Sequence, residues 1–218
     1  MRMVIAGGHG QIALRLERLL AARGDEAVGL IRNPAQEADL RAAGAEPALC
    51  DLESASVDEV AELLKGADVA VFAAGAGPGS TAERKDTVDR DAAILLAEAA
   101  EQAGVRRFLM VSSMGADASH KGDGIFDIYL RAKGAADDAV RARTTLDWTI
   151  LRPGALTDDE GTGQVRLEPS TGRGSVPRQD VAAVLAELAQ APGTVGLTLE
   201  LIGGDTPLAV AVRDAGTA

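Results

Sequence analysis

Short apolar segments alternate with longer helical segments along most of this chain, and that alternation most constrains its fold. Residues 3–6 and 69–73, for example, are apolar runs that end at or near glycine. After the first run, Ile12, Leu16 and Leu20 recur at helical spacing, which is typical of a helix with one apolar face. Continuous apolar strands that alternate with helices predict a parallel sheet with helices on both faces.

The same pattern sets the expected number and order of the elements. It predicts strands over residues 3–6, 27–31, 45–49, 69–73, 108–111, 148–151 and 197–202. It predicts helices over residues 12–20, 34–43, 57–64, 95–103, 128–142 and 181–188. Strand–helix units that follow one another from the amino terminus predict an α/β, Rossmann-like doubly wound parallel sheet. We expect a single domain over 1–218, in which 154–177 and 196–218 contribute a minimal C-terminal substrate lobe.

Charge and composition exclude two classes of partner. The 218 residues include 33 acidic and 22 basic side chains, a net charge of −11, and aromatic residues make up only 2%. Such a chain lacks the basic surface and the stacking rings that nucleic-acid-binding proteins use. No apolar stretch of the sequence approaches the length of a membrane span, so neither nucleic acid nor a membrane is an expected partner.

Cysteine and histidine are too few for a disulfide or a structural zinc site. Cys50 is the one cysteine, which is typical of a protein from a reducing compartment. His9 and His120 are the two histidines, and we expect no metal site. The first apolar run stops at Gly7 instead of continuing as the core of a signal peptide, so we expect a cytoplasmic protein.

A glycine-rich segment, GGHGQIA over residues 7–13, lies between the first predicted strand and the first predicted helix. Glycines there allow a tight turn and let a pyrophosphate approach the backbone, and Ala13 is small enough for close packing of helix on strand. The helix amino terminus adds free N–H groups and a positive dipole. The segment predicts a dinucleotide site; the alternative is a turn that only joins strand to helix.

The end of the second strand bears on which dinucleotide would bind. Enzymes that use NAD usually place Asp or Glu there for the ribose hydroxyls, whereas this strand ends in Arg32 with no carboxylate beside it in sequence. A guanidinium can bind the 2′-phosphate of NADP through two hydrogen bonds. We therefore expect NADP rather than NAD, unless Arg32 is only a solvated surface residue.

Two further loops would complete the adenosine site. Asp51 and Leu52 follow the third strand, where Asp51 either receives the adenine amino group or only shapes the turn. Ala73, Ala74 and Gly75 end the fourth strand, and their small size would let the backbone lie under the ribose. The alternative for that segment is a loop of small residues with no ligand.

Candidate catalytic residues follow the fifth strand. Ser112 and Ser113 end it, and Tyr129 and Lys133 lie four residues apart, on one face of the next helix. A nearby ammonium stabilises a phenolate, so we expect Lys133 to lower the pKa of Tyr129 and make it a general acid or base. The alternative is a partly buried tyrosine beside a surface lysine.

These motifs, with LDWTILRPGAL over 146–156 and RQDVA over 178–182, resemble the atypical branch of the short-chain dehydrogenase/reductase superfamily, the NAD-dependent epimerase/dehydratase-like proteins. The resemblance implies Ser113, Tyr129 and Lys133 as catalytic residues. It implies a cofactor site that includes Lys133 and the following residues: Gly7, Gly10, Gln11, Ile12, Arg32, Asp51, Leu52, Ala73, Ala74, Gly75, Pro153, Gly154, Ala155 and Leu156. The segment after Pro153 is shorter than the substrate domain of the sugar-nucleotide enzymes.

The combined expectation is an NADP-dependent oxidoreductase that acts on a small carbonyl or hydroxyl substrate. The alternatives are a sugar epimerase or dehydratase, a flavin or quinone reductase, and a non-catalytic NADP sensor. In many proteins of the family it resembles, the helix over 95–103 and the helix that carries Tyr129 form a dimer interface. Here the first of these helices and the turn before it are unusually rich in alanine and acidic residues: Ala92, Ala93, Ala97, Ala99, Ala100, Asp89, Asp91, Glu98 and Glu101. We therefore expect a monomer or a weak homodimer.

Overall fold

The computed structural model describes residues 1–77 and 79–217. The strands are β1 (Arg2–Ala6), β2 (Glu26–Ile31), β3 (Glu46–Leu49), β4 (Val69–Phe72), β5 (Arg107–Val111), β6 (Asp147–Pro153), β7 (Ala155–Thr157), β8 (Gln164–Glu168), β9 (Ser175–Pro177), β10 (Leu197–Gly203) and β11 (Thr206–Pro207). The helices are α1 (Gln11–Arg23), α2 (Glu37–Ala42), α3 (Val57–Leu64), α4 (Ala82–Arg84), α5 (Ala92–Ala103), α6 (Ile125–Arg141), α7 (Arg178–Leu188) and α8 (Leu208–Ala215). A π-helix over Lys85–Asp91 joins α4 to α5.

Nine of the strands in the described part of the chain form one sheet, in the order β11-β8-β10-β6-β5-β4-β1-β2-β3. The seven strands from β10 to β3 are parallel, which confirms the predicted doubly wound Rossmann-like fold. The chain runs outward from β1 to β3 and then resumes at β4 on the other side of β1. Ligands of such sheets bind outside the carboxyl ends of the strands at this switch point, here between β1 and β4.

Two apolar layers cover the sheet. On one face, α1, α7 and α8 pack against the sheet through side chains such as Leu16, Leu185 and Val212. On the other face, α3, α5 and α6 contribute Val60, Leu96 and Val140, together with an unusually large number of alanines. Because alanine is small and the chain has few aromatics, α5 lies close to α3 and to the sheet.

The segment between β6 and α7 is more regular than its sequence indicates. Residues 154–177 contain β7 and β9, which pair in parallel, and β8, which joins the main sheet antiparallel to β10. The sequence pattern predicted no strand in this segment, so β7, β8 and β9 were missed. These strands are short and partly exposed, so they carry neither a continuous apolar run nor a long alternation. The predicted helix over 34–43 is also shorter, a 3₁₀ turn at Pro34–Gln36 followed by α2.

Candidate active site

The glycine turn between β1 and α1 is held by contacts that exclude side chains. Gly7 has φ 79°, a left-handed conformation that favours glycine, and a Cβ there would lie 2.6 Å from the Cα of Ala74. The Gly10 N–H donates to the Gly7 carbonyl at 2.7 Å, and Gly10 begins α1 without a side-chain cap from the described residues. The free N–H groups of α1 therefore face the carboxyl ends of β1 and β4, as an anion site requires.

A cavity of about 260 Å³ lies beside this turn, at the carboxyl ends of β1, β2 and β3. Its walls contain the residues expected around the adenosine: Gly7, Gly10, Arg32, Asp51, Leu52, Ala73, Ala74 and Gly75. Their side chains and backbone come from four separate strand ends, so the fold brings together what the sequence separates. Asp51 also shapes its own turn, because its Oδ1 accepts the Glu53 N–H at 3.1 Å.

Arg32 is not alone in this cavity. Its Nη1 donates to Oε2 of Glu53 at 2.9 Å, and Arg84 donates to the same oxygen at 2.7 Å. The expectation that no carboxylate stands near Arg32 was therefore wrong. Glu53 reaches the site from the loop after β3, whereas a carboxylate was expected, if at all, at the end of β2.

A second cavity, of about 620 Å³, continues past Ala73, Ala74 and Gly75 toward α6. Further predicted site residues lie in its wall: Gln11, Ile12, Tyr129, Lys133, Pro153 and Leu156. Gly154 instead links β6 to β7 and packs against Gly174, and Ala155 is the first residue of β7. The end of β4 and Gly10 line both cavities, which therefore lie side by side across the switch point; the two together are called the groove.

Tyr129 lies largely buried in this second cavity, near the end of β5. Burial raises its pKa to about 12, and the negative charges of Asp89 and Asp137 act in the same direction. The nearby Ser113 hydroxyl, which donates to the Met114 carbonyl at 3.2 Å, opposes the rise. The expected lowering of the Tyr129 pKa was therefore wrong, because burial outweighs the stabilisation of a phenolate.

Lys133 is buried on the same face of α6 as Tyr129, and its ammonium contacts groups other than the Tyr129 phenol. Its ammonium donates to the Val111 carbonyl at 3.1 Å and lies 3.6 Å from Oδ1 of Asp89. It also lies 5.1 Å from the centroid of the Phe72 ring. Burial lowers the pKa of Lys133, whereas Asp89 and Asp137 raise it. Lys133 thus shares Asp89 with Lys85, whose Nζ lies 3.9 Å from Oδ2 of that carboxylate.

Lys85 and Asp89 also belong to this site, although no motif of the sequence indicated them. Both lie in the π-helix and line the second cavity, where the Lys85 ammonium stands 5.2 Å from the centroid of the Tyr129 ring. Lys85 also donates to the Gly77 carbonyl at 2.9 Å, and Asp89 accepts the Ala76 N–H at 3.3 Å. Their spacing of four in a helix was the available signal, and π-helical segments frequently occur at functional sites.

A buried ion pair stands next to the catalytic candidates. Arg152, in β6, donates through Nε to Oδ2 of Asp137 at 2.8 Å, and its Nη2 lies 2.7 Å from the same oxygen. Burial raises the pKa of Asp137, and Ser112 and Arg152 oppose that rise. The pair joins α6 to β6, so it fixes the helix that carries Tyr129 and Lys133 against the sheet.

The alanines and Asp89 on which the expected oligomeric state depends are buried inside the protein. Asp89 is buried and faces the cavity, and the alanines Ala92, Ala93, Ala97, Ala99 and Ala100 belong to the protein's own core. They are therefore not part of an exposed dimer face. A monomer or weak homodimer remains a prediction.

Residues 1–77 and 79–217 offer neither a cluster of metal ligands nor a membrane-spanning helix. They contain no group of three or more His, Cys, Asp or Glu residues placed to hold a metal ion. Within the same residues, no helix combines the length and the apolar character that crossing a membrane requires.

The groove and its glycine turn agree with the comparison to known families. A family model described as NAD(P)H-binding matches residues 7–192. The chain belongs to this family. Its glycine turn, groove and doubly wound sheet are thus those of an NAD(P)H-binding protein, and the resemblance predicted from the motifs is confirmed.

Individual proteins and solved structures match nearly the whole chain. It is 36% identical to an uncharacterised sugar epimerase of Bacillus subtilis, over 98% of this chain and 99% of that protein. A Bacillus halodurans structure, assigned by its name to the NAD-dependent epimerases/dehydratases, is 38% identical over 98% and 99% of the chains, with a TM-score of 0.90. An anaerobillin reductase from Escherichia coli O157:H7 is 26% identical over 94% and 98%, with a TM-score of 0.78.

Proposed function

We propose that the protein is an NADPH-dependent reductase of carbonyl compounds, with Tyr129 as the proton donor. The observation that carries this proposal is the position of a largely buried Tyr129 near Ser113, at one end of a groove whose other end contains Arg32 and Arg84. One end of the groove would hold the phosphorylated adenosine. The other would hold the nicotinamide and the substrate.

The residues present fit a dinucleotide. A Cβ at Gly7 would fill the turn, and Gly10 leaves the amino terminus of α1 open to a pyrophosphate. The small residues at the end of β4 would lie under the adenosine ribose, and Lys133 would hold the nicotinamide ribose. When bound, the reduced nicotinamide supplies a hydride to the carbonyl carbon.

The protein's own residues then have to supply a proton to the carbonyl oxygen. At the raised pKa of about 12, as at the ordinary value of about 10, the Tyr129 phenol is protonated at neutral pH and can donate. The Ser113 hydroxyl, which interacts with Tyr129, would orient the substrate oxygen toward it. A protonated phenol suits reduction better than the proton abstraction with which an epimerase begins.

The rim of the second cavity supports a substrate with an apolar face. Ile125, Phe126 and Leu156 line this cavity, although their side chains remain 50%, 65% and 37% exposed. Exposed large apolar side chains gathered at one cleft usually mark a binding surface. We therefore expect better turnover of apolar carbonyl compounds than of small sugars.

The proposal can be tested by following NADPH oxidation with a panel of aldehydes, ketones, quinones, a free flavin and a nucleotide sugar. Tyr129→Phe removes the proton donor and retains the ring, so we expect it to lower carbonyl reduction by ~10²–10⁴-fold with little change in NADPH affinity. Thr217→Val, which removes an exposed hydroxyl far along the chain, is the control.

Three outcomes would contradict the proposal. Flavin or quinone reduction that Tyr129→Phe leaves unchanged would indicate hydride transfer without a protein acid. Epimerisation of the nucleotide sugar without net NADPH oxidation would indicate the sugar-modifying alternative. Tight NADPH binding with no turnover on any compound would indicate a sensor.

A further inference from the structure

Glu53 accepts hydrogen bonds from three side chains at the phosphate end of the groove. Arg32 and Arg84 donate to its Oε2 at 2.9 and 2.7 Å, and Thr87 donates to its Oε1 at 2.7 Å. The Arg84 Nε adds a fourth contact, to Oε1, at 3.3 Å. Both oxygens of this carboxylate are therefore in use, and both arginines point their guanidinium groups at one small volume.

The same three charged residues line the cavity that the adenosine would enter. Arg32, Glu53 and Arg84 all lie in its wall, at the end where β2 and β3 stop. Two guanidinium groups that converge on one oxyanion form the kind of site that binds a phosphate monoester. Here, the oxyanion that both arginines bind is the carboxylate of Glu53. Arg84 and Thr87 lower the pKa of Glu53, so this carboxylate stays charged at neutral pH.

We propose that Glu53 is a specificity-determining residue, which competes with the 2′-phosphate of NADPH for Arg32 and Arg84. This inference rests on the proposed use of NADPH and adds Arg84 as a second phosphate ligand. A phosphate that binds both arginines must displace the carboxylate and overcome its negative charge. NADH has no such group, so its binding leaves the three side chains paired. Glu53 thus limits the preference for NADPH below what two arginines alone would give.

The test isolates the 2′-phosphate with two probes that lack the nicotinamide. Adenosine 2′,5′-bisphosphate and adenosine 5′-monophosphate differ only in that group, and calorimetric titration measures the affinity of each. We expect Glu53→Gln to raise the affinity for the bisphosphate by about tenfold, as expected for relief of one charge-assisted competitor, and to change that for the monophosphate little.

Glu83→Gln is the matched control. Glu83 is exposed and precedes Arg84 in α4, so its substitution removes the same charge from the same neighbourhood without freeing an arginine. We expect its bisphosphate affinity to equal that of the wild type. Arg84→Ala should lower bisphosphate affinity about as much as Arg32→Ala does, and neither should alter the monophosphate. Thermal unfolding of each variant verifies that it is folded.

Two results would overturn the inference while the proposed function stands. If wild-type protein binds NADPH and Glu53→Gln leaves the ratio of the two probe affinities unchanged, Glu53 does not compete. If Glu53→Gln lowers monophosphate and NADH affinity, the carboxylate binds the ribose hydroxyls instead. Wild-type protein that binds neither NADPH nor NADH would overturn the proposed function itself, and that outcome is separate from both.

Discussion

The Lys133 ammonium lies 3.6 Å from Oδ1 of Asp89, and both side chains are buried. The pairing joins α6 to the π-helix, so it fixes the two walls of the second cavity relative to each other. Burial alone would favour a neutral lysine, since it lowers the pKa of Lys133, and Asp89 acts against this. Asp89 on the π-helix thus favours the charged form of Lys133 on α6.

Asp89→Asn should destabilise the protein, because it leaves Lys133 buried without its counter-charge. Removal of one partner of a buried pair typically costs about 3–5 kcal/mol in the free energy of unfolding. The cost should shrink as the pH rises toward the ordinary pKa of lysine, since the folded variant then retains an uncharged Lys133. Denaturant unfolding at neutral and alkaline pH measures this. Asp91→Asn, at an exposed position, is the control, and equal losses in both variants would contradict the pairing.

The pH dependence of carbonyl reduction should reflect the raised pKa of Tyr129. Reduction needs the neutral phenol, and with a pKa of about 12 that form persists across the neutral and mildly alkaline range. We therefore expect no loss of the Tyr129-dependent rate until the pH approaches that value, where the phenol ionises. Initial rates of wild type and Tyr129→Phe over the range in which the protein stays folded provide the comparison. A Tyr129-dependent fall near pH 7 would show that the phenol ionises far more easily than its burial implies.

Comparing Gly7→Ala with Gly24→Ala separates the cost of a strained backbone from the cost of a clash between a new Cβ and a neighbouring segment. Both glycines have positive φ, 79° and 76°, so alanine suffers a similar left-handed penalty of about 1–2 kcal/mol at each. A Cβ at Gly24 meets nothing within 4 Å, whereas a Cβ at Gly7 would lie 2.6 Å from the Ala74 backbone. We expect Gly7→Ala to destabilise the protein more and to weaken NADPH binding. Equal unfolding free energies and unaltered NADPH binding in the two variants would exclude a close approach of Gly7 to Ala74.

Glu17 should make stability depend on pH. It is fully buried against Gly29, and both its carboxyl oxygens lack a hydrogen-bond partner among the described residues. Burial raises its pKa from 4.5 to about 8, so the folded state retains a proton that the unfolded state releases. The stability that the protonated Glu17 carboxyl contributes is therefore fully present below about pH 4.5 and is lost as the pH rises through about 8.

Glu17→Gln tests this dependence, because the amide cannot ionise. At ~1.4 kcal/mol per pKa unit, wild type should lose a few kcal/mol across that window relative to the variant. Denaturant unfolding at several pH values measures the slope for each protein. Glu62→Gln, an exposed change on α3, should retain the wild-type slope. A slope that persists in Glu17→Gln would assign the titration to another group.

Local regularities in the sequence determined the doubly wound sheet and much of the groove. The apolar strands, the glycine turn at Gly7 and Gly10, and the helical spacing of Tyr129 and Lys133 are visible over short stretches of chain. Each depends on backbone conformation or on periodicity, which neighbouring residues set by themselves. Strand order then follows from the handedness of strand–helix–strand units, which places the strand ends side by side.

Only the tertiary structure decided which charges meet. Glu53 reaches Arg32 from a different strand end, Asp89 turns inward on a π-helix to face Lys133, and burial sets the Tyr129 pKa. Ion pairs and desolvation depend on distances between segments that are far apart in sequence, and no local pattern encodes those distances. The short strand β8 was missed for a related reason, since its place in the sheet comes from pairing with β10 rather than from its own composition.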